Sequence, residues 1–158
     1  MGIRVSYDMN AVRAEMEQEV RKSIESVVDA LASVGDEIVS GIVDSVSSSW
    51  RDRTGNLRSS VGYIVSLDGV EMRRGGFRLY DGPERASTLK DGSQVGAAFA
   101  VSLLADHPEG LALVIVAGME YASHVEAVEN RTVLAQAELD APALVEEMIA
   151  ELQSKLAA

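Results

Sequence analysis

From Val12 through Met16, Val20, Ile24, Val27, Leu31, Val34, Ile38 and Ile42 to Val46, an apolar side chain returns every three or four residues. That spacing lays one continuous stripe along an α-helix. Arg13, Glu17, Arg21, Glu25 and Asp36 fall off the stripe. Asp8 or Asn10 is placed to cap the start. At ~1.5 Å per residue the helix would span on the order of 55 Å, more than a compact domain of this size needs. Gly35 and Gly41 each cost about 1 kcal/mol against alanine inside a helix, and they predict a bend or a break into two helices. Ser45, Ser47, Ser48 and Ser49 mark its end.

The period then shortens to two. Gly55-Asn56 is a turn signal. Across Leu57 to Leu67, Val61, Tyr63, Val65 and Leu67 alternate with Ser60, Gly62, Ile64 and Ser66, the pattern of a strand with one buried face. Asp68-Gly69 fits a tight hairpin, with Val70 to Arg73 as the returning strand. Gly75-Gly76 reads as another turn, and Phe77 to Tyr80 as a further short strand. Residues 81–96 read as a loop. Val95, Phe99, Leu103 and Leu104 then give a short helix, closed by the turn His107-Pro108-Glu109-Gly110. Leu111 to Ala117 is unbroken apolar sequence of strand length and is expected to be the central strand. Arg131 to Leu134 forms a short β-like piece. Asp140 is expected to cap a final helix with Pro142 in its first turn, where proline is tolerated, and with Leu144, Val145, Met148, Ile149, Leu152 and Leu156 as its apolar stripe.

These elements predict one α+β domain over residues 1–158, with a long N-terminal helix and a C-terminal helix packed on a mostly antiparallel sheet of about four strands. Residues 1–49 form the helical region, 50–139 the sheet with a variable loop around 69–108, and 140–158 the last helix.

Composition adds constraints. Aromatic residues are only 4% of the chain, so the core must be built from aliphatic side chains and methionine. The net charge of −11 is uneven: −5 over residues 1–49, +2 over 50–92, −1 over 93–106 and −7 over 107–158. A chain this acidic is repelled by phosphate backbones, which argues against direct sequence-specific nucleic-acid binding. There is no cysteine, so disulfides, thiolate metal sites and cysteine nucleophiles are excluded. No apolar run is long enough to span a membrane, and the N-terminus lacks the apolar core of a signal peptide, so a cytoplasmic protein is expected.

Candidate chemistry is sparse. The chain has no phosphate-binding loop, no dinucleotide fingerprint and no nucleophile elbow. His124 lies near Glu120 and Glu126, but the cluster lacks a second histidine and is too small for a closed metal site. His107 sits in a turn before proline and reads as structural. No cofactor and no catalytic residue are expected. Arg51, Arg53 and Arg58 bracket Thr54-Gly55-Asn56, and Arg73, Arg74 and Arg78 bracket Gly75-Gly76; on hairpin tips they would make a basic rim able to dock on an acidic neighbour. Trp50, the only tryptophan, stands where the helix meets the arginine loop, a position open either to the core or to an interface.

Two segments carry a family resemblance. Arg53-Thr54-Gly55-Asn56-Leu57-Arg58-Ser59-Ser60-Val61 and Met119-Glu120-Tyr121-Ala122-Ser123-His124-Val125-Glu126 resemble, in that order, the TGNLR and YAxxVE motifs of the tail-completion or head–tail joining proteins of long-tailed phages and prophages, the gene-product-ten-like group. The resemblance covers most of the chain outside residues 69–108. Where many members continue the second motif with Gly-Thr, this chain reads Ala127 to Leu134; Val133, Leu134, Ala137 and Glu138 are similar to a subgroup from phages of gut anaerobes. The resemblance implies a non-enzymatic virion protein, made in the host cytoplasm, that forms a homo-oligomeric ring at the neck. Its partners would be the portal-bound adaptor and the tail-tube or tail-terminator proteins. Trp50, Arg51, Arg53, Thr54, Gly55, Asn56, Leu57, Arg58, Tyr121, Ala122, Val125 and Glu126 would be its motif or interface residues. The competing reading is a non-phage helical oligomerisation or regulatory module. Against a sustained left-handed coiled coil, the stripe steps by close to 3.8 residues, not 3.5.

Overall fold

A computed structural model of the chain describes residues 7–49, 53–84, 91–119 and 134–156. The order is α1 (Met9–Ser49), a single helical turn α2 (Asn56–Ser59), β1 (Val61–Leu67), β2 (Val70–Gly76), α3 (Gly92–Leu103) with a 3₁₀ turn over Leu104–Asp106, β3 (Leu111–Ala117) and α4 (Ala135–Leu156). The protein is α+β, as its periodicities require. Its described sheet has three strands, all antiparallel, in the order β2-β1-β3.

Asp8 caps α1, its carboxylate accepting from the backbone N–H of Asn10 at 2.9 Å. The helix then runs 41 residues without a break. The glycines do not divide it into two helices, and packing explains the glycine at 35. A Cβ there would stand 2.7 Å from the Tyr63 ring, which lies against the helix backbone.

The hairpin turn falls at Asp68-Gly69, both with positive φ (52° and 73°), the signature of a type I′ turn. Its tip is tied to the loop before β3: Asp68 N–H donates to the Gly110 carbonyl and Gly110 N–H to the Asp68 carboxylate, both at 2.8 Å. β2 continues through Gly75 and Gly76, where a turn was expected, and Phe77 to Tyr80 is not a strand. Arg131 to Val133 fall outside the described residues, and Leu134 is a bend.

Among the described strands β1, not the apolar β3, is central, and it is buried on both faces. Val61, Tyr63 and Val65 face α1, where they join Val28, Leu31, Val34, Ile38, Val39 and Ile42; α4 packs on the same cluster through Leu144, Val145 and Met148. Ile64 faces the other way, with Val114 and Val116, against Ala100 and Leu104 of the α3 region. The molecule is therefore layered: α1 and α4, then the sheet, then α3.

Two helices begin earlier than their signals suggested. α3 starts at Gly92, inside the expected loop, with the Asp91 carboxylate accepting from Ser93 N–H at 3.0 Å. α4 starts at Ala135, so Asp140 is not its cap and Pro142 lies in its interior. Glu138 N–H already bonds the Leu134 carbonyl at 2.9 Å, and Gln136 donates to the Asp140 carboxylate at 2.9 Å. No described helix is long and apolar enough to cross a membrane.

Candidate functional site: the motif junction and the projecting helix

The first motif builds the junction between α1 and the sheet. Gly55 has φ 77°, a left-handed conformation that a Cβ would strain. It also lies directly against the Tyr80 carbonyl, where a side chain would collide. The Thr54 hydroxyl accepts from Asn56 N–H at 3.3 Å. Leu57 is fully buried in the core on the α1 side. Ser59 bridges two segments: its hydroxyl donates to the Gly55 carbonyl at 2.7 Å and accepts from Tyr80 N–H at 2.8 Å. The Ser60 hydroxyl donates to the Leu57 carbonyl at 2.8 Å, and its own carbonyl accepts from Gly118 N–H at 3.2 Å. Helix α3 seats Gly92 on the Asn56 backbone and Gly96 on the Ser60 backbone, so closely that neither position has room for a Cβ.

Of the residues singled out as motif or interface positions, the structure thus brings Thr54, Gly55, Asn56, Leu57 and Arg58 together at this junction. Gly55, Asn56 and Leu57 are buried, which makes them structural positions in the isolated chain. Asn56 is 4% exposed and its side-chain oxygen has no hydrogen-bond partner among the described residues. Arg58 stacks 5.2 Å from the Tyr80 ring centroid and donates to the Asp81 carbonyl at 3.4 Å. Arg53 is exposed and pairs with Glu84 at 2.8 Å; that hydrogen bond and charge hold its pKa above the ordinary arginine value. Trp50, Arg51, Tyr121, Ala122, Val125 and Glu126 lie outside the described residues, as do Glu120 and His124.

The arginines of the hairpin are also used within the chain. Arg73 bridges to Asp29 of α1 at 2.9 Å, and Arg74 pairs with Glu71, whose pKa the guanidinium lowers. The basic rim is consequently neutralised at Arg53, Arg73 and Arg74 by carboxylates of the same chain. His107 stands exposed in its turn, its N–H donating to the Leu104 carbonyl at 3.1 Å. Among the described residues no cluster of three or more histidine and carboxylate side chains could hold a metal ion.

The larger feature lies at the N-terminal end of α1, where the excess length of the apolar stripe suggested an end that projects toward another subunit. The stripe of α1 first becomes partly buried at Ile24 and fully buried at Val28. Before that, every residue from Tyr7 to Ser23 is exposed, including Met9 at 70%, Met16 at 64% and Val20 at 57%. About four turns of amphipathic helix, some 20 Å at ~1.5 Å per residue, therefore extend beyond the core with their apolar face open. A row of exposed apolar side chains, continuous along one helix face, marks an interaction surface. Farther along α1, Ile38, Gly41, Ile42, Ala137 and Leu144, together with Glu37, Ser45, Gln136 and Asp140, line a groove between α1 and α4.

Comparison of the chain with protein-family models, with curated proteins and with solved structures returned no match.

Proposed function

We propose that this chain is a non-enzymatic structural protein of a phage or prophage particle, acting at the neck where head and tail are joined. It would be made in the host cytoplasm and incorporated into the virion. There it would form a homo-oligomeric ring between the portal-bound adaptor and the tail-tube or tail-terminator proteins, without a cofactor. The observation that carries this reading is the resemblance of residues 53–61 and 119–126 to two motifs of head–tail joining proteins. The projecting end of α1, whose apolar stripe has no cover within its own described chain, supports its oligomeric part. Closed rings need a heterologous interface, two different surfaces per subunit, and many weak contacts around a ring sum through multivalency. The strong acidity of the chain favours protein partners over DNA.

The projecting stripe equally suits a cellular oligomerisation module, so the test must separate the two readings. The gene would be deleted from the genetic element that carries it, particles induced, and the lysate imaged, with the gene supplied in trans as control. Filled heads and complete but unattached tails, restored to whole particles by complementation, are the expected result. Normal particles, or neighbouring genes for metabolic or regulatory proteins instead of portal, adaptor and tail-tube proteins, would overturn the neck assignment in favour of the cellular module.

A further inference from the structure

Gly41 occupies the interior of α1, is exposed, and has nothing within 4 Å of the position a Cβ would take among the described residues. Gly35 is explained by the ring that packs on it; nothing inside the described chain requires glycine at 41. Keeping glycine there costs about 1 kcal/mol relative to alanine. Gly41 also lines the groove between α1 and α4, flanked by Ile38 and Ile42. A glycine on a helix face lets another helix approach closely, below the usual interaxial distance of about 8–10 Å.

The same molecule carries an uncovered helix of the right character. Met9, Val12, Met16 and Val20 supply an apolar edge matching a groove lined by Ile38, Ile42, Ala137 and Leu144. Arg13, Glu17 and Arg21 border that edge on one side, two bases to one acid. Glu37 of α1 and Asp140 of α4 are the charged residues in the groove lining, and α4 as a whole carries Glu138, Asp140, Glu146, Glu147 and Glu151 against the single base Lys155. On the opposite border of the stripe Lys22 is held by Glu19 at 2.7 Å.

We infer that the projecting N-terminal turns of α1 dock into the α1–α4 groove of a second copy of this chain, head to tail, with Gly41 as the point of close approach. Stripe and groove lie at different places on the subunit, so each copy offers one donor and one acceptor surface. Such contacts propagate until a ring closes. This inference deepens the oligomer part of the proposed function and does not depend on the particle in which the oligomer acts.

The experiment uses the full chain and two variants, each affecting one surface. Val12→Glu with Met16→Glu disables the stripe at exposed positions. Gly41→Lys places bulk and positive charge in the groove, opposite Arg13 and Arg21, at a site with open space. Circular dichroism and thermal melts establish that both remain folded. Sedimentation velocity over rising concentration then reads association. The expected result is that the wild-type chain assembles beyond dimers, and that each variant alone stays monomeric with association weakened at least tenfold. An equimolar mixture of the two should give one-to-one dimers and nothing larger, because only one intact interface remains per pair. If the Gly41→Lys chain self-associates as the wild type does, the stripes pair with each other and the groove is not the acceptor. If the stripe variant self-associates unchanged, if the mixture fails to dimerise, or if the wild-type chain stays monomeric at the highest soluble concentration, the inference is overturned. The imaging of the deletion decides the neck assignment separately from any of these outcomes.

Discussion

Gly35 and Gly41 sit six residues apart in one helix and carry the same propensity penalty, yet their surroundings give them opposite roles. Gly35 presses on the Tyr63 ring, and Gly75 of β2 presses on the same ring near its hydroxyl end, so the ring cannot retreat from an added methyl. Overpacking of this kind typically costs about 1–3 kcal/mol and outweighs the gain in helix propensity. Gly35→Ala is therefore expected to lower the urea midpoint. Gly41→Ala, facing open space, is expected to raise stability by up to about 1 kcal/mol in the monomer. Urea denaturation of the two variants beside the parent chain measures both; equal gains at the two positions would remove the packing account of Gly35. The sequence alone offers no means of telling these glycines apart, because the distinction lies in a tyrosine 28 residues downstream of one of them.

At the scale of elements, period and capping made α1, the β1–β2 hairpin and the apolar β3 readable, because local chemistry decides them. The long stripe, Asp8 and Asp68-Gly69 each act within a few residues. What escaped was decided by distant contacts. Gly92 and Gly96 looked like loop residues, but they are the flat face by which α3 meets the backbone of Asn56 and Ser60. Pro142 looked like a first-turn residue, but α4 already runs for seven residues before it. The candidate site divides in the same way. TGNLR was legible as a turn, while its work as a junction needs Tyr80, Gly92 and Gly96 from elsewhere in the chain. The stripe over Val12 to Val20 was legible as amphipathic, but nothing in its spacing says where the core stops covering it. That boundary has a measurable consequence. A helix of roughly 15 residues without tertiary support is marginal in water, and uncovered turns open easily. In the monomer, amides of residues 10–22 should exchange with solvent orders of magnitude faster than those of residues 30–42. Uniform protection along α1 in a chain shown to be monomeric would contradict the exposed position of these turns.

On the scale of the whole molecule, β1 is the strand on which both cores rest. The apolar run of β3 suggested a centre, yet small residues turn out to matter more: Gly62 and Ser66, with Ser60 just before the strand, allow close packing on the second face of β1, while Val61, Tyr63 and Val65 fill the first. Tyr63 ties three elements together, lying between α1 and β2 from its place on β1, and it is 2% exposed. Burial pushes its pKa up to about 12, helped by the negative charge of Asp36 and the hydrogen bond to that carboxylate. An unfolded tyrosine ionises near pH 10. Between about 10 and 12 the unfolded chain therefore binds fewer protons than the folded one, and stability must fall as pH rises. The contribution is complete below pH 10 and is lost across that window, on the order of 2–3 kcal/mol at about 1.4 kcal/mol per unit. Tyr63→Phe should leave stability at neutral pH close to that of the parent chain and should flatten the alkaline decline relative to it. Other tyrosines and lysines titrate in both proteins and cancel in the difference. Denaturant melts of the pair from pH 8 to pH 12 measure it: parallel curves would mean that Tyr63 ionises equally easily folded and unfolded, and that the ring between α1 and β2 is not the pin that holds the first core closed.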